Sequence, residues 1–294
     1  MPFRHAFDCL WCGTAHVCRR TDDIEGWAQL CPTCVGKAGE NGFLRFRLRQ
    51  AIVERGRATA PTAARPTARD VGDDELVAYY EARAPEYDDW YLRRRRYSRG
   101  PIHDAAWNAE LDAAGRWLDA LPIGGQIVEL AAGTGWWSPL LAGKGELSLY
   151  DAADAPLDHA RDRLVAHHLR AHIHTRDAWT EPDRQVDALF TGFWLSHVPR
   201  ERLGAFLAVA RRWLRPGGTY AFIDSLPDPQ SGAQDHPTPA GDRSVRRLAD
   251  GREFEIVKVY YQPAELEAAL GRAGFDAAEV TTTGRFFLLG HATA

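Results

Sequence analysis

From residue 126 onward, apolar runs of strand length alternate with longer stretches of helical periodicity. This alternation constrains the fold more than any other feature of the chain. Residues 126–131 read as a buried strand, and "ELSLYD" (146–151), "AHIHTRD" (171–177), "QVDALFTGF" (185–193) and "TYAFIDS" (219–225) as four more. Between them lie the helical stretches "PLDHARDRLVAHHL" and "RERLGAFLAVARRWL", the second ending at Arg215-Pro216-Gly217-Gly218, which reads as a stop and a tight turn. "PAELEAALGRAGF", with Pro263 in its first turn, is a last helix, and "AEVTTTG" and "FFLLGHA" are two closing strands. Strands that return through helices over short connections must run parallel, so the pattern predicts a parallel sheet wrapped in helices and finished by a hairpin. In such sheets a ligand sits beyond the carboxyl ends of the strands, where the strand order reverses.

Upstream, "DDELVAYYEARAPEYDDWYLRRRR" reads as an aromatic-rich helix broken near Pro85, and a further helix falls around Ala105–Leu121. Tyr79, Tyr80, Tyr87, Trp90 and Tyr91 on the first of these either form a lid over a ligand or face the core. Residues 55–70, "RGRATAPTAARPTARD", have the composition of a linker. The expected organisation is a small module over 1–54, a linker over 55–72 and a large domain over 73–294. Residues 225–250 read as a long polar insertion, and substrate contacts are expected there because loops of that length are often functional covers.

All five cysteines lie in the first 34 residues, and Cys9, Cys12, Cys31 and Cys34 form two CxxC pairs. This is the spacing of a tetrahedral zinc site, in which each pair presents two thiolates to one Zn(2+) ion. Four thiolates leave no open position, so such an ion would fold the module and not catalyse. Cys18, next to His16 and Val17, is the spare; its replacing one of the four stays open, as does the weaker disulfide reading. "NGFLRFRLRQAIVERG" follows as either an alternating strand or a short basic helix. Residues 1–70 carry 11 Lys+Arg against 7 Asp+Glu, and the remainder 25 against 33, so the module is mildly basic and the large part acidic. No apolar run approaches the roughly 18 residues of a membrane span, and the start lacks a signal peptide's apolar stretch. The expectation is a cytoplasmic protein with no membrane partner.

The strand at 126–131 runs into "VELAAGTGWWSPLL". A P-loop would need a lysine after the second glycine, and the dinucleotide fingerprint a third glycine beside the pyrophosphate. Neither is present, and Trp136-Trp137 argues against a pyrophosphate. What remains is a turn whose Gly133 and Gly135 let backbone approach a ligand without phosphate, led in by Glu129, a carboxylate suited to a cation. S-adenosylmethionine, a nucleoside with an amino acid tail and a sulfonium, fits that description. Asp151 ends the second strand, where an acid can hydrogen-bond two ribose hydroxyls. Asp177-Ala178 ends the third, placed to accept a proton from an adenine amino group.

Over about residues 73–294 the chain resembles the class I S-adenosylmethionine-dependent methyltransferases. "VELAAGTG" is similar to that family's first motif, and Asp151, Asp177, "LRPGG" and "RAGF" stand where the family has its later landmarks. The resemblance implies a Rossmann-like α/β fold with a seven-stranded, mostly parallel sheet whose last strand is antiparallel. It implies cofactor contacts from Glu129, Ala131, Gly133, Gly135, Asp151, Asp177 and Ala178, with Tyr87 from the aromatic helix; Ala131 stands where the family usually has glycine. "FTGFWLSHVP", after the fourth strand, would face the cofactor's methyl, which makes His197 the candidate base, against a structural role at the start of the next helix. The family's nucleic-acid enzymes show Asn/Asp-Pro-Pro-aromatic or Pro-Cys motifs at that point, whereas this chain reads "TGFW". The expected reaction is methyl transfer to an O or N atom of a small molecule. An RNA-modifying enzyme whose zinc module and Arg45, Arg47 and Arg49 bind phosphates is the alternative; the acidic large part makes nucleic acid the less expected partner. Oligomeric state is not legible.

Overall fold

The structure is a computed structural model that describes residues 6–9, 14–17, 31, 33–34, 71–236 and 241–294. It divides into two compact units, Met1–Ala68 and Arg69–Ala294. In the first, β1 (Ala6–Asp8) pairs antiparallel with β2 (Ala15–Val17), and the Cys9 N–H donates to the Thr14 carbonyl at 2.9 Å to close the hairpin. Cys12, Cys18, the basic stretch from Arg45 to Arg49 and the linker lie outside the described residues.

The second unit opens with α1 (Val71–Arg83), a single 3₁₀ turn (Ala84–Glu86) and α2 (Tyr87–Tyr91), so the break falls at Pro85 as its missing N–H requires. Next comes α3 (Pro101–Ala120), which starts earlier than the sequence suggests because Pro101 occupies the first helical position, where its fixed φ is favourable. The alternating part runs β3 (Gly125–Leu130), α4 (Ser138–Ala142), β4 (Gly145–Asp151), α5 (Asp154–Ala166), β5 (His172–Thr175), β6 (Val186–Gly192), α6 (Leu203–Trp213) and β7 (Leu214–Ser225). It closes with β8 (Arg243–Arg247), β9 (Glu253–Val257), α7 (Pro263–Arg272), β10 (Asp276–Thr282) and β11 (Phe287–Thr293).

Seven strands form one sheet in the order β10-β11-β7-β6-β3-β4-β5, with only β11 running against its neighbours. The order reverses between β3 and β6, which pair in parallel. Alternate residues of each strand feed opposite faces. Ile127, Leu149 and Phe190 join a cluster with Trp107 and Leu118 of α3 and Leu164 of α5. Val128, Leu189 and Phe222 join the other, with Phe206 and Trp213 of α6 and Leu270 of α7. The result is a three-layer sandwich around a continuous sheet. Full burial of each large side chain contributes roughly 1.5–3 kcal/mol, and the polar atom of Trp107 is satisfied by donating to the Tyr91 carbonyl at 3.0 Å.

Two further features differ from the sequence reading. The fifth strand begins at Leu214, not at 219: the turn at "RPGG" is absorbed into the strand, with Gly217 at φ +81° and a register shift between Val186 and Ala188 on its neighbour. The polar insertion also carries β8, which pairs antiparallel with β9. Arg247 pairs with Glu253 across the two strands; β9 ("EFEIV") alternates polar and apolar residues, whereas β8 ("RSVRR") lacks the apolar alternation that marks a strand. Leu248 and Ile256 anchor this hairpin on Leu76 and Tyr79 of α1. No helix among the described residues is long and apolar enough to cross a membrane.

Candidate active site

The chain leaves β3 at Leu130 and enters a turn with three left-handed residues, Ala131 (φ +52°), Gly133 (φ +55°) and Gly135 (φ +68°). The turn is held to the next strand: the Gly133 N–H donates to Asp151 Oδ2 at 2.8 Å, and Asp151 Oδ1 accepts the Ala153 N–H at 2.9 Å. Gly135 serves packing, because a Cβ there would come within 2.7 Å of the Ala160 Cβ on α5. Glu129 lies behind the turn, 1% exposed, accepting the Ser138 hydroxyl at 2.6 Å, and burial pushes its carboxyl up to about 8. The structure therefore does not bring Glu129 or Gly135 to the cavity wall.

It does bring together Ala131, Gly133, Asp151, Asp177, Ala178 and Tyr87, which line a cleft beyond the ends of β3 and β4 and the residues after β5. Asp151 is pushed up to about 6 by burial, against the opposing effect of the Ala153, Gly133 and Ala152 N–H donors, so it is largely ionised at neutral pH. A carboxylate offers about four acceptor sites, more than the backbone donors occupy. The Asp177 side chain accepts the Trp179 N–H at 2.7 Å, fixing the loop after β5.

Tyr87 stands over Gly133 so closely that a Cβ on the glycine would lie 3.1 Å from its hydroxyl. The next residue, Asp88, ties the aromatic segment to the turn: it accepts the Thr134 hydroxyl at 2.8 Å and pairs with Arg163. Trp136 stacks on Tyr91 at 4.2 Å with rings 3° from parallel, which explains why the turn carries an aromatic there. Trp137 packs under Gly192, where a Cβ would be 2.8 Å from its ring.

A second cavity of about 290 Å³ shares Tyr80, Tyr87, Phe193 and His197 with the first. Its remaining wall comes from α1, from Trp90 of α2 with Tyr97 and Arg99 beyond it, from residues 225–236 at and after the end of β7 and from the β8–β9 hairpin and the residues that follow. His197, on a 3₁₀ turn (Leu195–His197) after β6, is fixed at both nitrogens. Nδ1 is 2.7 Å from the Val257 carbonyl and Nε2 is 2.7 Å from the Tyr80 hydroxyl. A carbonyl only accepts, so Nδ1 carries the proton in the neutral ring, and Tyr80 donates to Nε2. Burial, then the nearby Lys258 charge, holds the imidazole well below its ordinary value, so the ring is neutral at pH 7.

Sequence reasoning missed Tyr80 as a partner of His197, and it missed Arg83, Arg246 and Lys258 on the cavity wall. Tyr80 and Arg83 sit three residues apart on one helix, the only local signal available.

A cleft at the reversal of a sheet with one antiparallel strand, an acid ending β4, another after β5 and a glycine turn after β3 is the arrangement expected for an adenosyl ligand. A family model described as a methyltransferase domain matches residues 127–218. The solved structure of a DhpI-SAH complex is 32% identical, with 74% of this chain and 95% of that chain covered at a TM-score of 0.58. The DhpI-SAM-HEP complex is also 32% identical, with 76% and 99% covered at a TM-score of 0.60. This chain belongs to the class I S-adenosylmethionine-dependent methyltransferases. Burkholderia thailandensis 1,6-didemethyltoxoflavin-N1-methyltransferase, solved with 1,6-didemethyltoxoflavin and S-adenosylhomocysteine, shares the fold at 15% identity, with 80% and 93% covered and a TM-score of 0.51. No match was found among curated proteins.

In this methyltransferase's N-terminal unit, the thiol sulfurs of Cys9, Cys31 and Cys34 lie within 4.8 Å of one another. The Cys31 N–H points at Cys9 Sγ at 3.3 Å, a donor suited to a thiolate. Sulfurs bound to one zinc at about 2.3 Å lie well inside that separation, so the three residues fit such an ion.

Proposed function

We propose that this methyltransferase moves the methyl group of S-adenosylmethionine to an O or N atom of a small molecule held in the cavity beside the cofactor cleft. The observation that carries this reading is the wall shared by the two cavities: Tyr80, Tyr87, Phe193 and His197 face both, which is where a methyl donor and an acceptor must meet. The cofactor supplies an activated methyl on a positive sulfur. Asp151 accepts the two ribose hydroxyls, Asp177 and the Ala178 backbone meet the adenine, and Ala131 and Gly133 bring the main chain against the ligand. Tyr87 covers the turn from the opposite side. The solved relatives support a small acceptor: the 32% identical DhpI was captured with SAM and HEP.

His197 acts as base through Tyr80. The phenol oxygen can take a proton from the acceptor as its own proton passes to Nε2, while Nδ1–H stays on the Val257 carbonyl and fixes the tautomer. Because burial holds the imidazole well below 6.5, the base is already neutral through the physiological range, and the acid limb of the rate falls well below the ordinary histidine value. His197→Asn is expected to keep fold and cofactor affinity while lowering kcat by roughly 10²–10⁴ and removing that limb. A small loss with an unchanged pH profile would make His197 a structural residue.

The module over 1–54 is proposed to be a Zn(2+)-stapled unit held by Cys9, Cys12, Cys31 and Cys34, joined through a 55–72 linker to the catalytic domain over 73–294. The three clustered sulfurs support it. The RNA alternative depends on arginines outside the described residues, and no described feature favours it.

A further inference from the structure

Among the described residues the acceptor cavity is lined by Arg83, Arg99, Arg246 and Lys258, and by one carboxylate, Asp228. That carboxylate is already bound to Arg285 at 2.6 Å, so it neutralises none of the four. Lys258 is compensated: its ammonium donates to Ser196 and Ser225 at 2.8 and 3.2 Å and lies 4.0 Å from Asp224. Arg99 donates to the Gly232 and Ala233 carbonyls.

Arg83 is different. It is 8% exposed, and its Nε, like that of Arg99, is buried without a hydrogen-bond partner. Among the described residues no carboxylate lies within 4 Å of its guanidinium. Its neighbours are four tyrosine rings, with Tyr87 nearest at 4.6 Å and Tyr79, Tyr80 and Tyr97 between 5.6 and 5.9 Å. Ring faces attract a cation but supply no hydrogen-bond acceptor along the guanidinium edge. A buried charge without a counter-ion is costly, and this one adjoins two of the rings that face both cavities, Tyr80 and Tyr87. Arg246, on β8, faces the same space and meets neutral partners there, His236 Nδ1 at 3.3 Å and the Tyr260 side chain. Burial and then the charge of Arg246 push His236 down to about 3, consistent with uncompensated positive charge in the cavity.

Building on the reading that this cavity holds the acceptor, we propose that the acceptor carries an anionic group, a carboxylate or a tetrahedral oxyanion, bound by the Arg83 guanidinium with Arg246 as second partner. A guanidinium fork matches either anion with two parallel hydrogen bonds. The rings around Arg83 hold its plane without competing for those donors. The anion thus anchors the acceptor beside the shared wall, where Tyr80 and His197 meet the reacting atom.

The test uses the full chain saturated with S-adenosylhomocysteine, titrated with inorganic phosphate and separately with acetate. Binding is read by calorimetry for wild type, Arg83→Gln, Arg246→Gln and the exposed control Arg116→Gln. The expected result is saturable binding of at least one anion, weakened at least tenfold in Arg83→Gln and severalfold in Arg246→Gln, and unchanged in Arg116→Gln. Phosphate alone assigns a tetrahedral oxyanion, and acetate alone a carboxylate. Arg246 is only partly buried, so its variant keeps the test sharp if Arg83→Gln unfolds on a thermal melt. No saturable binding, or equal binding in both cavity variants and wild type, overturns the proposal. Methylation of a neutral small molecule in a metabolite extract, lost in Tyr80→Phe, would then leave the methyltransferase reading standing without the anion.

Discussion

Ala131 occupies a left-handed backbone conformation at φ +52°, where a Cβ crowds the carbonyl oxygen. That conformation costs an L-residue roughly 1–2 kcal/mol. Glycine would remove the strain but lose roughly 0.5–1 kcal/mol to its greater unfolded-state freedom. Ala131→Gly is therefore expected to stabilise the domain by about 0.5–1 kcal/mol. At roughly 2–4 °C per kcal/mol for a domain of 150–250 residues, the melting temperature should rise by about 1–4 °C. The matching variant, Gly133→Ala, should move the other way. It places a Cβ at φ +55° and 3.1 Å from the Tyr87 hydroxyl, so strain and displacement of Tyr87 combine to a loss of at least about 1–2 kcal/mol. Calorimetric melts of both variants and wild type, without ligand, decide it. A lower melting temperature for Ala131→Gly, or none for Gly133→Ala, would refute the assignment of the turn.

Purified protein is expected to carry about one zinc per chain, measured by elemental analysis; Cys31→Ser should lose it, and full metal content in a variant lacking Cys9, Cys12, Cys31 and Cys34 would refute the site. Asp88→Asn weakens the tie between the aromatic segment and the turn, where Asp88 meets both Thr134 and Arg163; cofactor affinity should fall severalfold in calorimetry, and unchanged affinity would mean that this tie does not order the cleft.

Much of the sheet was legible because buried parallel strands such as "LSLY" and "ALF" are continuous apolar runs with turns between them. The antiparallel last strand followed from the resemblance and is present. The β8–β9 hairpin was not legible, because β8 ("RSVRR") holds Val245 as its one apolar residue; Arg243 and Arg247 answer Glu255 and Glu253 on one face, and Phe254 and Ile256 of β9 pack on α1 from the other. In the cleft, Asp151 and Asp177 were readable since strand ends place them, whereas Glu129 was not: its neighbour Ser138 draws it under the turn. Arg83 escaped notice for a different reason. Four tyrosines surround it, and Tyr97 reaches it only through the bend after α2, a tertiary arrangement with no local pattern. The lowered imidazole of His197 likewise comes from burial beneath α1 and the hairpin, which no spacing announces.

The central claim is that the turn after β3 and the carboxylate ending β4 form one S-adenosylmethionine site, and binding of S-adenosylhomocysteine tests it without knowledge of the acceptor. Asp151→Asn would remove charge from the two ribose hydrogen bonds proposed for it, each worth roughly 1.5–3 kcal/mol when charged. Calorimetric titration should show saturable binding to wild type and at least tenfold weaker binding to Asp151→Asn, with both proteins folded. Absence of binding to the wild type, or equal affinity for the two, would contradict the account.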